Sequence, residues 1–366
     1  MVIVTACSVS GRVMAEQRMF LDLSLEFLGQ YQLPKQNYQE TPVGGLSDLT
    51  YNNKINRFYV ISDDRSLLAP ARFYTFNLNI SPTGIDKATI EGVTFLKNEQ
   101  GQTYPKNSID AEGIALSPRG TVFISSEGVI SQGVAPFLEE YDLTNGQAKL
   151  NVPLPQRYLP NSSDGPPRGI QNNLGFEPLT ISAPSVIADD PFRLFTATEA
   201  ALIQDSPDHT TEENSHIRFL HYVINPFGKP LVVAEHIYPL DTPPDDALYY
   251  GLTALTALPK EGYFLSLERT LSLTGFGAKI FQVINTNAND TSSFETLHEI
   301  TQINPLQKKL LLDLSELNIE LDNLEGMSFG PHLPDGSPTL VLVSDNNFKD
   351  EQVTQFLLFK LVQSSR

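Results

Sequence analysis

The sequence predicts an all-β fold, a β-propeller of five four-stranded blades. Three observations carry that reading. A four-part unit recurs five times along the chain. Turn-forming proline (26) and glycine (23) are spread over the whole length, as short strands joined by tight turns require. The last unit runs out of chain one strand early, and an alternating segment near the N-terminus can supply it. A sixth blade stays open if an insertion hides a degenerate unit.

The first element of each unit is a short apolar run, in most copies with an acid near its start. The copies are Leu46-Ser47-Asp48-Leu49, Glu112-Gly113-Ile114-Ala115, Glu177-Pro178-Leu179-Thr180, Gly251-Leu252-Thr253-Ala254 and Glu325-Gly326-Met327-Ser328. The second is a β-branched or apolar strand ending on an acid: Asp63, Glu127, Glu199, Glu268 and Asp345. The third alternates around aromatic residues, as in Arg72-Phe73-Tyr74-Thr75-Phe76 and Gln355-Phe356-Leu357-Leu358-Phe359. A weaker fourth strand follows in the first four copies, and Phe20 to Leu28 completes the fifth by closing the ring.

The repeat is longer than that of compact propellers, about 40–50 residues, so the blades carry insertions. The longest are expected at 156–175, 204–215 and 285–305. Residues 1–18 form a tail and 19–363 a single domain. Helical periodicity is poor throughout.

Hydrophobic residues at 40% and charged residues at 19% describe an ordinary globular protein with ample core. The net charge of −18 argues against nucleic acid, whose phosphates are bound through clustered Lys and Arg. A small phosphorylated ligand is compatible with it, given bound cations or a local arginine cluster. The one cysteine, Cys7, rules out an internal disulfide. Val4-Thr5-Ala6-Cys7 has the shape of a bacterial lipobox, so lipidation of Cys7 is an expectation, and with it a periplasmic or cell-surface location. Any membrane contact would run through that anchor.

Equivalent positions of a propeller's inner strands converge on its central channel. Asp63, Glu127, Glu199, Glu268 and Asp345 share one such position; Glu112, Glu177 and Glu325 share another. Any single acid is well explained as a turn cap or a local ion pair. The recurrence at one place in five units is not, and crowded carboxylates call for a hard cation with oxygen ligands, best Ca²⁺. Arg65, Arg168 and Arg269 lie close by in sequence. They could grip an anionic substrate or simply neutralise the ring.

Other chemistries find little support. The six histidines are scattered, no Gly-x-Ser-x-Gly elbow is present, and neither a phosphate-binding Gly-x-x-x-x-Gly-Lys loop nor a dinucleotide fingerprint appears. A carboxylesterase would need an activated serine that the sequence does not offer.

Several stretches resemble the phytase-like family, labelled "esterase-like activity of phytase". They are Gly44-Gly45-Leu46-Ser47, Ile61-Ser62-Asp63-Asp64-Arg65, Asp110-Ala111-Glu112-Gly113-Ile114-Ala115 and Ser125-Ser126-Glu127-Gly128. The most specific is the ending, from Leu321-Asp322-Asn323-Leu324-Glu325-Gly326-Met327 through Val343-Ser344-Asp345-Asn346-Asn347-Phe348 to Gln352-Val353-Thr354-Gln355-Phe356. The resemblance spans about residues 40–362 and implies an extracytoplasmic propeller that hydrolyses phosphate esters, with calcium-dependent alkaline phytases as distant relatives. The sequence departs from the pattern at Phe176-Glu177-Pro178-Leu179, where a proline follows the glutamate in place of the usual glycine.

Together these features point to a calcium-dependent phosphoesterase. The eight carboxylates would be metal ligands, with Glu112, Glu177 and Glu325 also candidate catalytic bases, and Arg65, Arg168 and Arg269 would hold phosphate. The alternative is a non-catalytic binding propeller whose metal is structural.

Overall fold

The computed structural model describes residues 19–161, 166–183, 185, 187–206, 215–300 and 302–363. Cys7 and the lipobox-like tail lie outside them, as does most of the 204–215 insertion.

Five antiparallel four-stranded sheets follow one another around a channel. Blade 1 runs Leu46–Asn52, Arg57–Ser62, Arg72–Ser81, Gly84–Phe95, from the channel outward. Blade 2 has inner strand Ala111–Leu116, blade 3 Phe176–Ser182 and blade 4 Ala247–Ala257. Blade 5 takes three strands from the C-terminal end of the fold, Asn323–Phe329, Thr339–Asp345 and Thr354–Gln363, and its outermost from Leu23–Leu33. The count of five and the closure by the N-terminal strand both agree with the repeat.

One hydrophobic cluster fills each gap between neighbouring blades, so the core is a ring of five wedges. The inner strands meet at the channel, where their free edges would leave backbone groups unpaired. Side chains bridge them instead. Asp48 Oδ2 accepts from Ile114 N at 3.0 Å, and Thr50 Oγ1 accepts from Leu116 N at 3.1 Å. Thr180 Oγ1 accepts from Ala257 N, and Thr256 Oγ1 donates to Met327 O at 2.7 Å.

The insertion after the third strand of blade 4 folds back over blade 3. Arg218, fully buried, donates to Asp205 and Glu235 at 2.6 Å each and to the carbonyl of Phe294 in that insertion. Satisfied charges of this kind pin a polar loop where apolar packing could not.

Closure of the ring rests on Phe359, fully buried and paired opposite Phe27 with ring centroids 5.4 Å apart. Phe359→Ala should lower the unfolding free energy by about 3–5 kcal/mol. Urea denaturation reads this directly, and a loss below ~1 kcal/mol would mean that the closing strand is not held as described.

Candidate metal centre

The site begins with a local irregularity repeated in every blade. Pairing of the first strand with the second skips a step at Ser47, at Glu112-Gly113, at Glu177-Pro178, at Thr253 and at Glu325. A β-bulge of this kind re-aims the extra side chain. In blades 2, 3 and 5 the re-aimed residue is a glutamate at the channel mouth. The residue after it must be small where the next inner strand passes close. A side chain at Gly113 would collide with the Glu177 carbonyl and Leu179, and one at Gly326 with Asp48 and Ser47. Blade 3 carries Pro178 there, and its pairing resumes at Leu179 all the same.

The second strands deliver the other acids. Ser62, Ser126, Thr198 and Ser344 pair with equivalent residues of the first strands, so Asp63, Glu127, Glu199 and Asp345 follow at one common position. In blade 4 the residue so paired, opposite Leu252, is Glu268 itself. The ring position there belongs to Arg269, and Glu268 stands apart from the ring. Its carboxylate receives Lys308 Nζ at 2.5 Å, Tyr238 Oη at 2.6 Å and Asp241 N at 2.9 Å. Aligning acid with acid along the sequence shifted that blade by one residue.

The geometry brings two carboxylate triads together. Asp110, Glu112 and Glu127 place one oxygen each within 4.8 Å of one another, and so do Glu127, Glu177 and Glu199. Glu127 belongs to both. Asp63, Glu325 and Asp345 flank them closely enough to influence each other's charge. Asp110, absent from the sequence-derived ring, was open to detection: it sits two residues before Glu112, the spacing that returns a strand to the same face.

Burial is deep: Asp110 and Glu199 are 1% exposed and Glu127 and Asp345 2%. Burial first, then the neighbouring carboxylates, pushes Asp63 up to about 7. Burial likewise raises Asp110 to about 6 against the pull of Arg65, and Glu325 to about 8 against that of Arg269. Glu112, Glu127, Glu177 and Asp345 lie well above the ordinary carboxylate range for the same two reasons.

The arginines divide the work. Arg269 Nη2 sits 2.5 Å from Glu199 Oε1, and its Nη1 lies 2.6 Å from Asn323 Oδ1 and 3.4 Å from Glu325 Oε1. It is an internal counter-charge. Arg65, with its side chain 31% exposed, reaches Asp110 Oδ2 at 2.5 Å and donates to Asn173 at the mouth. Arg168 is not brought into ion-pair contact with the acids; its Nε is buried without a partner.

Glycines make room for all this. Gly45, with φ +59°, lies where any side chain would strike Asp63 and the Phe348 ring, and its N–H donates to Asn346 Oδ1 at 3.1 Å. Thus Gly44-Gly45, Asp63 and Asp345-Asn346-Asn347-Phe348, far apart in sequence, meet between blades 5 and 1.

A model of the phytase-like family, described as esterase-like activity of phytase, matches residues 41–348. The chain belongs to that family. The glycine, acid and asparagine segments that converge at the site of this phytase-like propeller all lie within the matched span. No curated protein matches the sequence. Solved structures match only at low identity. The GH62 α-L-arabinofuranosidase catalytic domain of Coprinopsis cinerea is 11% identical over 93% of this chain and 97% of its own, at a TM-score of 0.43. PaAbf62A of Podospora anserina is 10% identical over 93% and 98%, at 0.42. The β-fructofuranosidase BmSUC1 of Bombyx mori is 9% identical over 96% and 66%, at 0.41. Likenesses this slight say nothing about activity.

The residues fit a metal ion. Every donor is a carboxylate oxygen, and Glu177 Oε2 and Asp63 Oδ1 are buried without a hydrogen-bond partner. Such oxygens cost stability unless a cation or proton meets them.

Two outcomes follow. An unfolded chain sheds its carboxylate protons near pH 4, whereas the cation-free ring keeps some until about pH 6–8. The folded state therefore binds more protons over that window, and its stability falls as pH rises through it. In EDTA the melting temperature should drop between pH 5 and pH 8, and an added divalent cation should remove most of the drop; a rising profile in EDTA would contradict the buried ring. Arg269→Gln should destabilise the cation-free protein by about 3–5 kcal/mol by stranding Glu199 and Glu325, measured by chemical denaturation in EDTA.

Proposed function

We propose that this phytase-like propeller is a calcium-dependent phosphoesterase that acts outside the cytoplasm on a small phosphorylated molecule at the acidic mouth of its channel. The observation that carries this is the pair of triads sharing Glu127, with the solvent-reaching guanidinium of Arg65 beside them. Oxygen-only, carboxylate-rich donors favour Ca²⁺ over zinc or copper. Asp110, Glu112, Glu127, Glu177 and Glu199 would hold it. When bound, calcium would supply charge neutralisation of the phosphate and a lowered pKa for an attacking water.

The chain's own groups would do the rest. Arg65 is steadied by Asp110 and Asn173 and keeps donors for a phosphate oxygen. Arg168 carries no ion pair among the described residues and is available as a second grip. Arg269 balances the ring from within. Glu325 accepts from Asn323 Nδ2 at 2.7 Å and lies 3.4 Å from Arg269 Nη1; of the candidate bases Glu112, Glu177 and Glu325 it is the one outside both triads, and it would take the proton from water. The extracytoplasmic setting, with Cys7 as a lipid anchor, rests on the lipobox-like segment and the family likeness.

A second reading, a binding propeller with a structural metal, is favoured by the depth of the ring. Glu127 and Glu199 are at most 2% exposed, and an arginine already sits among the acids.

Hydrolysis of phytate and of p-nitrophenyl phosphate, with EDTA and with restored Ca²⁺, separates the two. The enzyme reading expects Ca²⁺-dependent phosphate release that Glu127→Gln lowers at least ~100-fold, since loss of mere supporting partners of a metal already costs 10–100-fold. A melting temperature raised by Ca²⁺ with no turnover on any phosphoester would leave the structural reading standing.

A further inference from the structure

The channel has a second mouth, and its chemistry is the reverse of the first. A cavity of about 980 Å³ opens between the far ends of the inner strands. Its lining includes Leu49, Ile114, Leu179, Leu255 and Met327, one from each blade, just past the bulges that raise the acids. That volume is at the upper end of small-molecule sites, about 300–1,000 Å³.

No Asp or Glu lines this cavity among the described residues, in a chain that has 43 of them and a net charge of −18. The ionisable groups at its edge, tyrosine aside, are Lys54, His332 and Lys260, on the turns of blades 1, 5 and 4. Those three blades are consecutive around the ring, so the groups form an arc over one side of the mouth. Lys54 has no ion-pair partner among the described residues. Lys260 Nζ lies 4.2 Å from the Tyr263 ring and donates to its hydroxyl at 3.0 Å, with no carboxylate partner among the described residues. Lysines left uncompensated beside an apolar cavity, on so acidic a protein, are complementary to an anion that carries an apolar body.

We propose that this cavity binds an anionic amphiphile, an unbranched alkyl chain ending in a carboxylate. The tail lies along the channel towards Leu179 and Leu255, and the head meets the arc of Lys54, His332 and Lys260. The site owes nothing to the acidic mouth, and its occupancy is independent of any cation bound there.

Isothermal titration with dodecanoate, dodecanol and dodecyltrimethylammonium, all kept below micelle formation, tests it on the intact protein. Dodecanoate should bind saturably with one site per chain, more tightly than the alcohol, and the cationic amphiphile weakest. Affinity should grow about fourfold per CH₂ from octanoate to dodecanoate. Replacing both Lys54 and Lys260 by Gln should weaken dodecanoate about fivefold and dodecanol less than twofold. Ala257→Phe, which narrows the cavity, should weaken both. Equal affinity for the two charged amphiphiles, absence of saturable binding, or indifference to Ala257→Phe would overturn the proposal. So would a concentration-dependent dimer that dodecanoate cannot dissociate, since a second copy would then cover the mouth.

Discussion

Carboxylates held a few ångströms apart and shielded from water cannot all remain ionised without counter-charge. This propeller gathers eight of them at one opening: Asp63, Asp110, Glu112, Glu127, Glu177, Glu199, Glu325 and Asp345. Two guanidiniums, Arg65 and Arg269, meet part of that charge. The remainder is taken up by protons or by a divalent cation, and nearly every feature of the mouth is arranged around this balance. Arg269 is buried within the ring, while Arg65 stays at the surface with donors to spare. The response to pH and any binding of a metal ion would thereby be linked through one set of oxygens.

The fold achieves the crowding with a modest device. A regular strand presents every second side chain to each face, and both faces of a propeller blade are packed against neighbours. The bulge in each inner strand breaks that alternation at one point and releases a single side chain towards the opening. Where the released residue is glutamate, as at 112, 177 and 325, the mouth gains charge. Where it is Ser47 or Thr253, it does not. Gly113 and Gly326 show what the arrangement requires of the next residue, since the adjoining inner strand leaves no room for a side chain.

Beyond the bulges the same strands build an opposite environment. Leu49, Ile114, Leu179, Leu255 and Met327 separate the acids from a cavity that no carboxylate lines among the described residues. Bridges from Asp48, Thr50, Thr180 and Thr256 hold the inner strands together along this stretch. Asp48 is itself buried and raised well above the ordinary range, chiefly by burial, although it accepts backbone N–H groups. One channel thus carries two chemistries divided by a collar of apolar side chains.

The number of blades, the closure by the N-terminal strand and the convergence of acids were legible in the sequence. Hydrophobic alternation and turn residues act locally, and a repeat displays the same local pattern in each copy. Seven of the eight acids predicted for the ring are found in it for that reason. Glu268 is not, because which face a strand residue takes depends on pairing across the blade: opposite Leu252 it turns towards Lys308 and Tyr238, and the next residue, Arg269, takes the ring position. Asp110 joins the site, Arg168 stays out of ion-pair contact with it, and Arg269 becomes a counter-charge instead of a free grip. Those outcomes depend on distances between different blades, and side-chain chemistry read along one strand contains no information about its neighbour's register.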